Sequence, residues 1–431
     1  MNPIIRTHSA RRSCRMAIAM LVAVVAAAST APALGMATVF AIKPDNKLLR
    51  FKSNTPAVID ATLNITGLQV GETLIGIDFR PETGGLYGIG TTARLYVIDP
   101  TTGVATQIGS GVFSSPLVGT SFGMDFNPII DRIRVVSDAD ANGRISPANG
   151  TIAGVDSNLF YVPGDAFAGF DPRIEGIAYQ EINIGGTPGT TLFGIDSLTN
   201  SLVRIGGVNG APSPNNGQLT TIGLLGVDTG DFIGFDIGPN DLTLAAMDIA
   251  GVSRLFTINL ATGAATLVGT IGDGTTISGI AIAPVGRFRF SNTLYSVGEA
   301  GAFATITVQR VGGSFGAVSV QYLVNDGTAV APGDYVADLD TLTFGAGETS
   351  KTFNVVVNDD ALVEPIETVN LTLLNPTGGA TLGTPAAATL RILDNDGPAG
   401  GCGGGLCGLG MFPMVPLMLL GLRTMRRARR G

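Results

Sequence analysis

Carboxylates are the side chains in this chain with the most chemistry to offer. The sole histidine is His8, tryptophan is absent, and beyond position 37 no histidine remains. Ser-His-Asp and Cys-His catalysis, histidine zinc sites and histidine general bases are therefore excluded from the body of the chain. Asp359 and Asp360 follow one apolar run, Glu364 comes four residues on, and Asp394 and Asp396 follow the last such run. Calcium takes six to eight oxygen ligands, mostly carboxylates and carbonyls of flexible loops, so acidic loops past strand ends suit Ca2+. Asp394 and Asp396, at i and i+2, point to the same side of an extended chain. Asp138-Ala139-Asp140-Ala141-Asn142-Gly143 opens like an EF-hand loop, with Ile145 at the eighth position. Its twelfth position is Asn149, not the bidentate Glu such a loop requires. Asp78, Asp125 and Asp236 recur at matching points of a repeat, which favours a repeated structural role, although paired carboxylates also hydrolyse glycosides.

The elements that must position these groups are short strands. Glu72 to Gly109 holds four apolar runs closed by turn residues, the pattern of an antiparallel meander. Part of it recurs: Arg94 to Asp99, Pro100-Thr101-Thr102-Gly103 and Ala105-Thr106 align with Arg254 to Asn259, Leu260-Ala261-Thr262-Gly263 and Ala265-Thr266. A glycine-containing apolar run returns around Gly76, Gly123, Gly176, Gly234 and Gly279, at intervals of 47, 53, 58 and 45 residues. That period is close to one four-stranded propeller blade, and a glycine inside a strand suits inner strands crowded about a channel. No strands follow the fifth copy, whereas Thr38–Ile42, Lys47–Lys52 and Ala57–Ile65 are left over at the start. The economical solution is a ring of five blades, the last strand completing a blade begun by the first three. A six-bladed ring and an open stack of hairpins are the competing architectures. Seven further alternating runs between Phe288 and Leu393 suggest an immunoglobulin-like sandwich, so the fold class expected is all-β.

Both ends read as addresses. Arg6, Arg11, Arg12 and Arg15 precede an apolar run from Met16 to Ala28, with small residues after it, which predicts an export signal over residues 1–37. Residues 398–431 combine a glycine-rich spacer holding Cys402 and Cys407, an apolar run from Met411 to Leu422 and five terminal arginines. That run is shorter than the ~20 residues needed to cross a bilayer untilted, which fits a transient anchor. With the four arginines of the leader and the five of the tail set aside, 17 basic residues face 34 acidic ones, a net charge of −17. An acidic, exported body disfavours nucleic acid and anionic membrane as partners and favours divalent cations.

The residues also carry resemblances. IGIDFRP, LYGIG, RLYVIDPTTG, FGMDFNP and DRIRVVSD, in that order, resemble the bacterial domain-of-unknown-function family 4394, which implies an exported propeller-like domain over 38–284 with no established activity. In 286–397, Tyr295 to Glu299, Asn325 to Ala329, Gly333-Asp334-Tyr335, Asn358-Asp359-Asp360, Glu364 to Glu367 and Ile392 to Asp396 resemble the Calx-beta domain. That resemblance implies an adhesion- and transport-associated sandwich binding Ca2+ through acidic loops at one end. Carried over position by position, its ligands fall on Glu299, Asp334, Asp359, Asp360, Glu364, Asp394 and Asp396. Ala361 and Asn395 depart from the acidic run of strong binders and imply fewer ions or lower affinity. The C-terminal segment resembles the tripartite sorting tags of bacterial surface proteins.

The function expected is that of an exported, non-enzymatic cell-surface protein whose calcium-binding module serves adhesion or contact with an extracellular matrix or surface polymer. Its contact with membrane would run through the C-terminal tag alone. The alternative is a carboxylate-based enzyme or small-ligand-binding propeller with the sandwich as spacer. Three or more carboxylates at the channel mouth, one with a raised pKa, would favour the alternative. An apolar or glycine-lined channel would favour the first.

Overall fold

The computed structural model describes residues 36–397 apart from 115–116 and 185–186, so the segment expected to be a sorting tag and nearly all of the expected export signal lie outside the described residues. Among the described residues helix is confined to short 3-10 turns such as Pro214–Asn216, and none is long and apolar enough to cross a membrane.

Five antiparallel sheets form the first part. Blade one joins Gly279–Ile282 to Thr38–Lys43, Lys47–Lys52 and Ile59–Asn64, with Ala281 opposite Phe40. The C-terminal inner strand thus completes the blade begun by the N-terminal three, as ring closure requires. Blade two is Leu74–Phe79, Leu86–Gly90, Arg94–Ile98 and Ala105–Ile108. Blade three is Phe122–Asn127, Arg132–Ser137, Asn142–Ser146 and Thr151–Val155. Blade four runs Ile174–Ile184, Thr187–Asp196, Ser201–Ile205 and Gln218–Leu224, with Phe160–Tyr161 added in parallel at its outer edge. Blade five is Ile233–Gly238, Leu242–Ile249, Val252–Ile258 and Ala265–Thr270.

The aligned repeat keeps its chemistry in three dimensions. In blade two the Gly103 amide donates to the Asp99 carbonyl (2.8 Å), and in blade five Gly263 donates to Asn259 (2.8 Å). Both glycines have φ near +80°, a backbone region that costs other residues strain. The inner-strand glycines serve close approach. A Cβ on Gly234 would lie 2.5 Å from the Ile280 amide nitrogen of blade one, and the Cβ of Gly279 would sit 3.5 Å from Gly76 of blade two. Packed apolar layers between neighbouring blades, such as Phe40, Ile77, Leu86 and Tyr96, make the core.

The second part is a two-sheet sandwich. One sheet orders Ser350–Val356, Phe303–Val311, Arg287–Phe290 and Thr381–Leu382; the other orders Leu294–Gly298, Ala387–Leu393, Glu367–Leu374, Val318–Asp326 and Asp338–Phe344. Inward residues alternate with outward ones, and Tyr322 stacks on Phe353 at 3.8 Å across the core. The sequence suggests seven strands and the structure has nine. Thr381–Leu382 is too short to show a period, and Leu294–Gly298 is an edge strand whose alternate residues are only half-buried.

A loop of the sandwich docks on the propeller. Phe315 packs edge-on against Phe40 and Phe79, at ring separations of 5.5 and 5.6 Å. Arg310, only 2% exposed, fixes that loop. Its guanidinium donates to the carbonyls of Val285 (2.7 Å), Gly345 (3.0 Å), Phe315 (2.7 Å) and Gly316 (3.0 Å).

Candidate functional site

Strand direction gathers the acids of the sandwich. Leu294–Gly298 pairs in parallel with Ala387–Leu393, Gly298 lying opposite Leu393, so the residues that follow each strand, Glu299 and Asp394, emerge at the same edge. Phe303–Val311 pairs with Ser350–Val356 so that Phe303 meets Val356, and the Val357 amide donates to the Ala302 carbonyl (3.0 Å). That brings the Asp359-Asp360 loop alongside. Glu367 opens its strand opposite Ile392, next to the same edge.

The result is two groups of carboxylates. In Glu299, Asp394 and Asp396 one oxygen of each lies within 4.8 Å of the others; Asp334, Glu364 and Glu367 form a second such group. Glu299 is buried at 4% exposure. Burial raises its pKa, and Asp360, Asp394 and Glu364 add to the rise. Burial, then Asp394, Asp359 and Asp360, does the same to Asp396. Burial pushes Glu367 up to about 7, with Asp334 the largest charge contribution. The Oδ2 of Asp396 is buried with no hydrogen-bond partner. A buried acceptor without a donor is costly unless a cation, a proton or a water meets it. The loops are held by their own amides: Val330 donates to Asp334 (2.7 Å), Leu362 to Asp360 (2.6 Å) and Asp396 to Asp394 Oδ1 (2.8 Å).

Five of the seven residues singled out in the sequence, Glu299, Asp334, Glu364, Asp394 and Asp396, fall in these two groups. Asp359 and Asp360 are exposed and stand outside both triples, although Asp360 acts on Glu299 and both act on Asp396. Sequence reasoning missed Glu367 as a member of the second carboxylate group. It lies three residues after Glu364 in the quoted motif, but as the first residue of a strand it reads as sheet rather than loop. The EF-hand-like stretch does not build a loop of that kind. Asp138 is engaged by the amides of Thr120 (2.8 Å) and Ser121 (3.2 Å), while buried Asn142 accepts from Arg134 (2.5 Å) and donates to the Ser157 and Pro214 carbonyls. A guanidinium on the expected ligand repels a cation there.

In the propeller, Asp78, Asp125 and Asp236 converge at the channel mouth with one oxygen of each within 4.8 Å of the others. Each also reaches the next blade: Asp78 accepts from the Phe126 amide (2.7 Å), Asp125 from Tyr179 (2.8 Å) and Asp236 from Ile282 (2.5 Å). Burial, with Asp236 second, holds Asp78 well above the usual carboxylate range; burial and Asp78 do the same to Asp125, and burial pushes Asp236 to about 6. Deeper in, the channel closes on Gly76, Gly123, Gly176, Gly234 and apolar neighbours. The two contrasting channel linings weighed from the sequence thus occur together, at different depths.

Fold and sites define a five-bladed propeller joined to an immunoglobulin-like sandwich with an acidic edge. The chain belongs to the family of the domain of unknown function DUF4394, which matches residues 47–281, and residues 283–396 match the Calx-beta domain. The sodium/calcium exchanger Calx of Drosophila melanogaster is 36% identical over 110 residues, 26% of this chain and 12% of the exchanger. Adhesion G-protein coupled receptor V1 of Danio rerio is 38% identical over 96 residues, 22% of this chain and 2% of the receptor. The chain therefore spans a small part of these relatives. Among solved structures, the apo-form Calx CBD1 domain is 35% identical, covering 26% of this chain and 97% of that one, with a TM-score of 0.25. A protein of unknown function from Bacteroides thetaiotaomicron is 14% identical, covering 59% of this chain and 68% of that one, with a TM-score of 0.34.

Proposed function

We propose that the sandwich is a calcium-binding module and that the protein acts, without catalysis, as an exported surface component contacting a matrix or surface polymer. The observation that carries the calcium reading is the pair of carboxylate triples at one sandwich edge, with Oδ2 of Asp396, a member of the first triple, buried and unpartnered. Hard oxygen donors on loops, more acidic than their surroundings neutralise, are the donor set Ca2+ prefers. The similarity to a Calx-beta domain and to the fly sodium/calcium exchanger supports the same reading. Glu299, Asp394 and Asp396 would hold one ion and Asp334, Glu364 and Glu367 a second, with Asp359 and Asp360 supplying further oxygens. Bound calcium relieves the mutual repulsion of these acids and stiffens the edge. Export and surface retention rest on the leader and the C-terminal segment, with membrane contact through that segment alone.

Calorimetric titration of the chain with Ca2+ tests this. Saturable heat is expected, together with a melting temperature that rises with calcium as RT ln(1 + [L]/Kd) demands. The double variant Asp394→Asn, Asp396→Asn should lose the heat of one ion and part of the shift, and adding Glu364→Gln should abolish both. No heat and no shift at millimolar calcium would leave the sandwich a spacer.

A further inference from the structure

Above the Asp78, Asp125 and Asp236 carboxylates lies a cavity of about 540 Å³, roofed by the sandwich through Arg287, Gly312, Thr381 and Leu382. Its volume is that of a small-molecule site. The carboxylates form its floor, and Glu181 and Asp241 stand in its wall, so five acids face it against the single guanidinium of Arg287. Pro81, Pro128, Pro239, Pro284, Phe79 and Phe126 supply apolar walls.

Holding the ring together does not account for the floor. The same position, two residues after the inner-strand glycine, is Ala178 in blade four and Ala281 in blade one. The ring closes there without a carboxylate, so a staple to the next blade is dispensable at two of the five places. Three buried acids a few ångströms apart are costly to keep unless something else uses them. Their geometry narrows what that is. Each already has an oxygen committed to a backbone amide, and Asp78 accepts from two, those of Phe126 and Phe79. A hard divalent ion wanting six or more oxygens is poorly served by the remainder. A primary ammonium asks for three acceptors. One oxygen from each of the three carboxylates supplies that number, all lying within 4.8 Å of one another.

We infer that this cavity binds a small organic cation, its primary ammonium held by Asp78, Asp125 and Asp236 and its carbon skeleton lying along the proline and phenylalanine walls. The site is separate from the sandwich edge and does not depend on calcium there.

The test is titration of the chain, in chelator, with n-butylammonium chloride and, at equal ionic strength, with tetramethylammonium chloride, read by calorimetry and by melting temperature. Saturable binding of n-butylammonium in the millimolar range is expected, with no saturable binding of tetramethylammonium, which has the charge but no N–H donor. Asp125→Asn and Asp236→Asn each keep an oxygen for the Tyr179 or Ile282 amide and should weaken the amine at least tenfold. Absence of saturable n-butylammonium heat, equal binding of both cations, or unaltered affinity in both folded variants overturns the inference. So does a calcium heat that these two variants abolish, because it would assign the floor to a metal ion. Should the variants fail to fold, the contrast between the two cations on the unaltered chain decides. A calcium titration at the sandwich edge that fails while the amine binds would sink only the calcium reading.

Discussion

Without calcium, the sandwich should lose stability as the pH rises, and Glu367 shows by how much. Its carboxyl titrates at about 7 in the folded chain against 4.5 for a free glutamate, because burial and Asp334, Glu364 and Glu299 oppose its charge. The folded state therefore holds the proton more tightly than the unfolded state. The stabilisation is fully present below about 4.5 and is lost as the pH climbs through about 7. At about 1.4 kcal/mol per tenfold change in proton affinity the loss would be about 3 kcal/mol. Glu367 is partly open to water, and screening reduces this to about 1 kcal/mol. For a domain of this size that is a fall of about 4–8 °C in melting temperature between pH 4.5 and 8. The measurement is a set of calorimetric melts in chelator comparing the natural chain with Glu367→Gln, which cannot charge. Subtracting the two cancels the propeller groups that shift the same way, such as Asp236 at about 6 and Glu175 at about 8. Calcium at about a hundred times its dissociation constant adds about 2.7 kcal/mol and should erase the fall. A difference between the two chains that stays flat from pH 4.5 to 8 would refute the claim that this edge is strained by its own charge.

Arg310→Met should cost about 3 kcal/mol in urea unfolding, since a buried guanidinium and its four bonds to backbone carbonyls are lost together. Gly234→Ala should cost at least about 1–3 kcal/mol, because its new Cβ meets backbone rather than a side chain that can move aside. Asp138→Asn should leave the calcium stoichiometry unchanged by calorimetry, since its Oδ1 already accepts from the Thr120 and Ser121 amides and its Oδ2 from the Thr120 hydroxyl.

The propeller is legible because its constraints are local and repeat. A glycine where inner strands crowd, an Asp or Asn that closes a turn on a Gly at positive φ, and a fixed interval leave their mark in linear sequence. Ring closure follows by counting the strands left over at each end. The sandwich edge is legible only as far as loops are acidic. Glu367 escapes because its role depends on the pairing of its strand with Ala387–Leu393, a non-local fact. The Asp138–Asn142 stretch misleads for the converse reason: its spacing suits a cation, but Arg134, brought in from the preceding strand, takes the asparagine. The channel mouth is half legible. Its aspartates recur visibly, yet that three of them meet above a closed waist and beneath a sandwich roof depends on blade packing and on the Phe315 loop.

The two acidic regions are joined by one strand. Phe303–Val311 begins at the acidic edge, where Phe303 lies opposite Val356, and carries near its other end Arg310, whose guanidinium fixes the loop that docks Phe315 on the propeller. Nine extended residues span about 30 Å, too far for charge at one end to be felt directly at the other through screening solvent. Coupling between the ends must therefore be mechanical, carried by the hydrogen-bonded sheet and its packed core. The roof of the channel-mouth cavity is set by the Arg310 cage and the Phe40–Phe79–Phe315 contact, neither of which contains a calcium-type ligand. The joint should accordingly be formed with or without calcium.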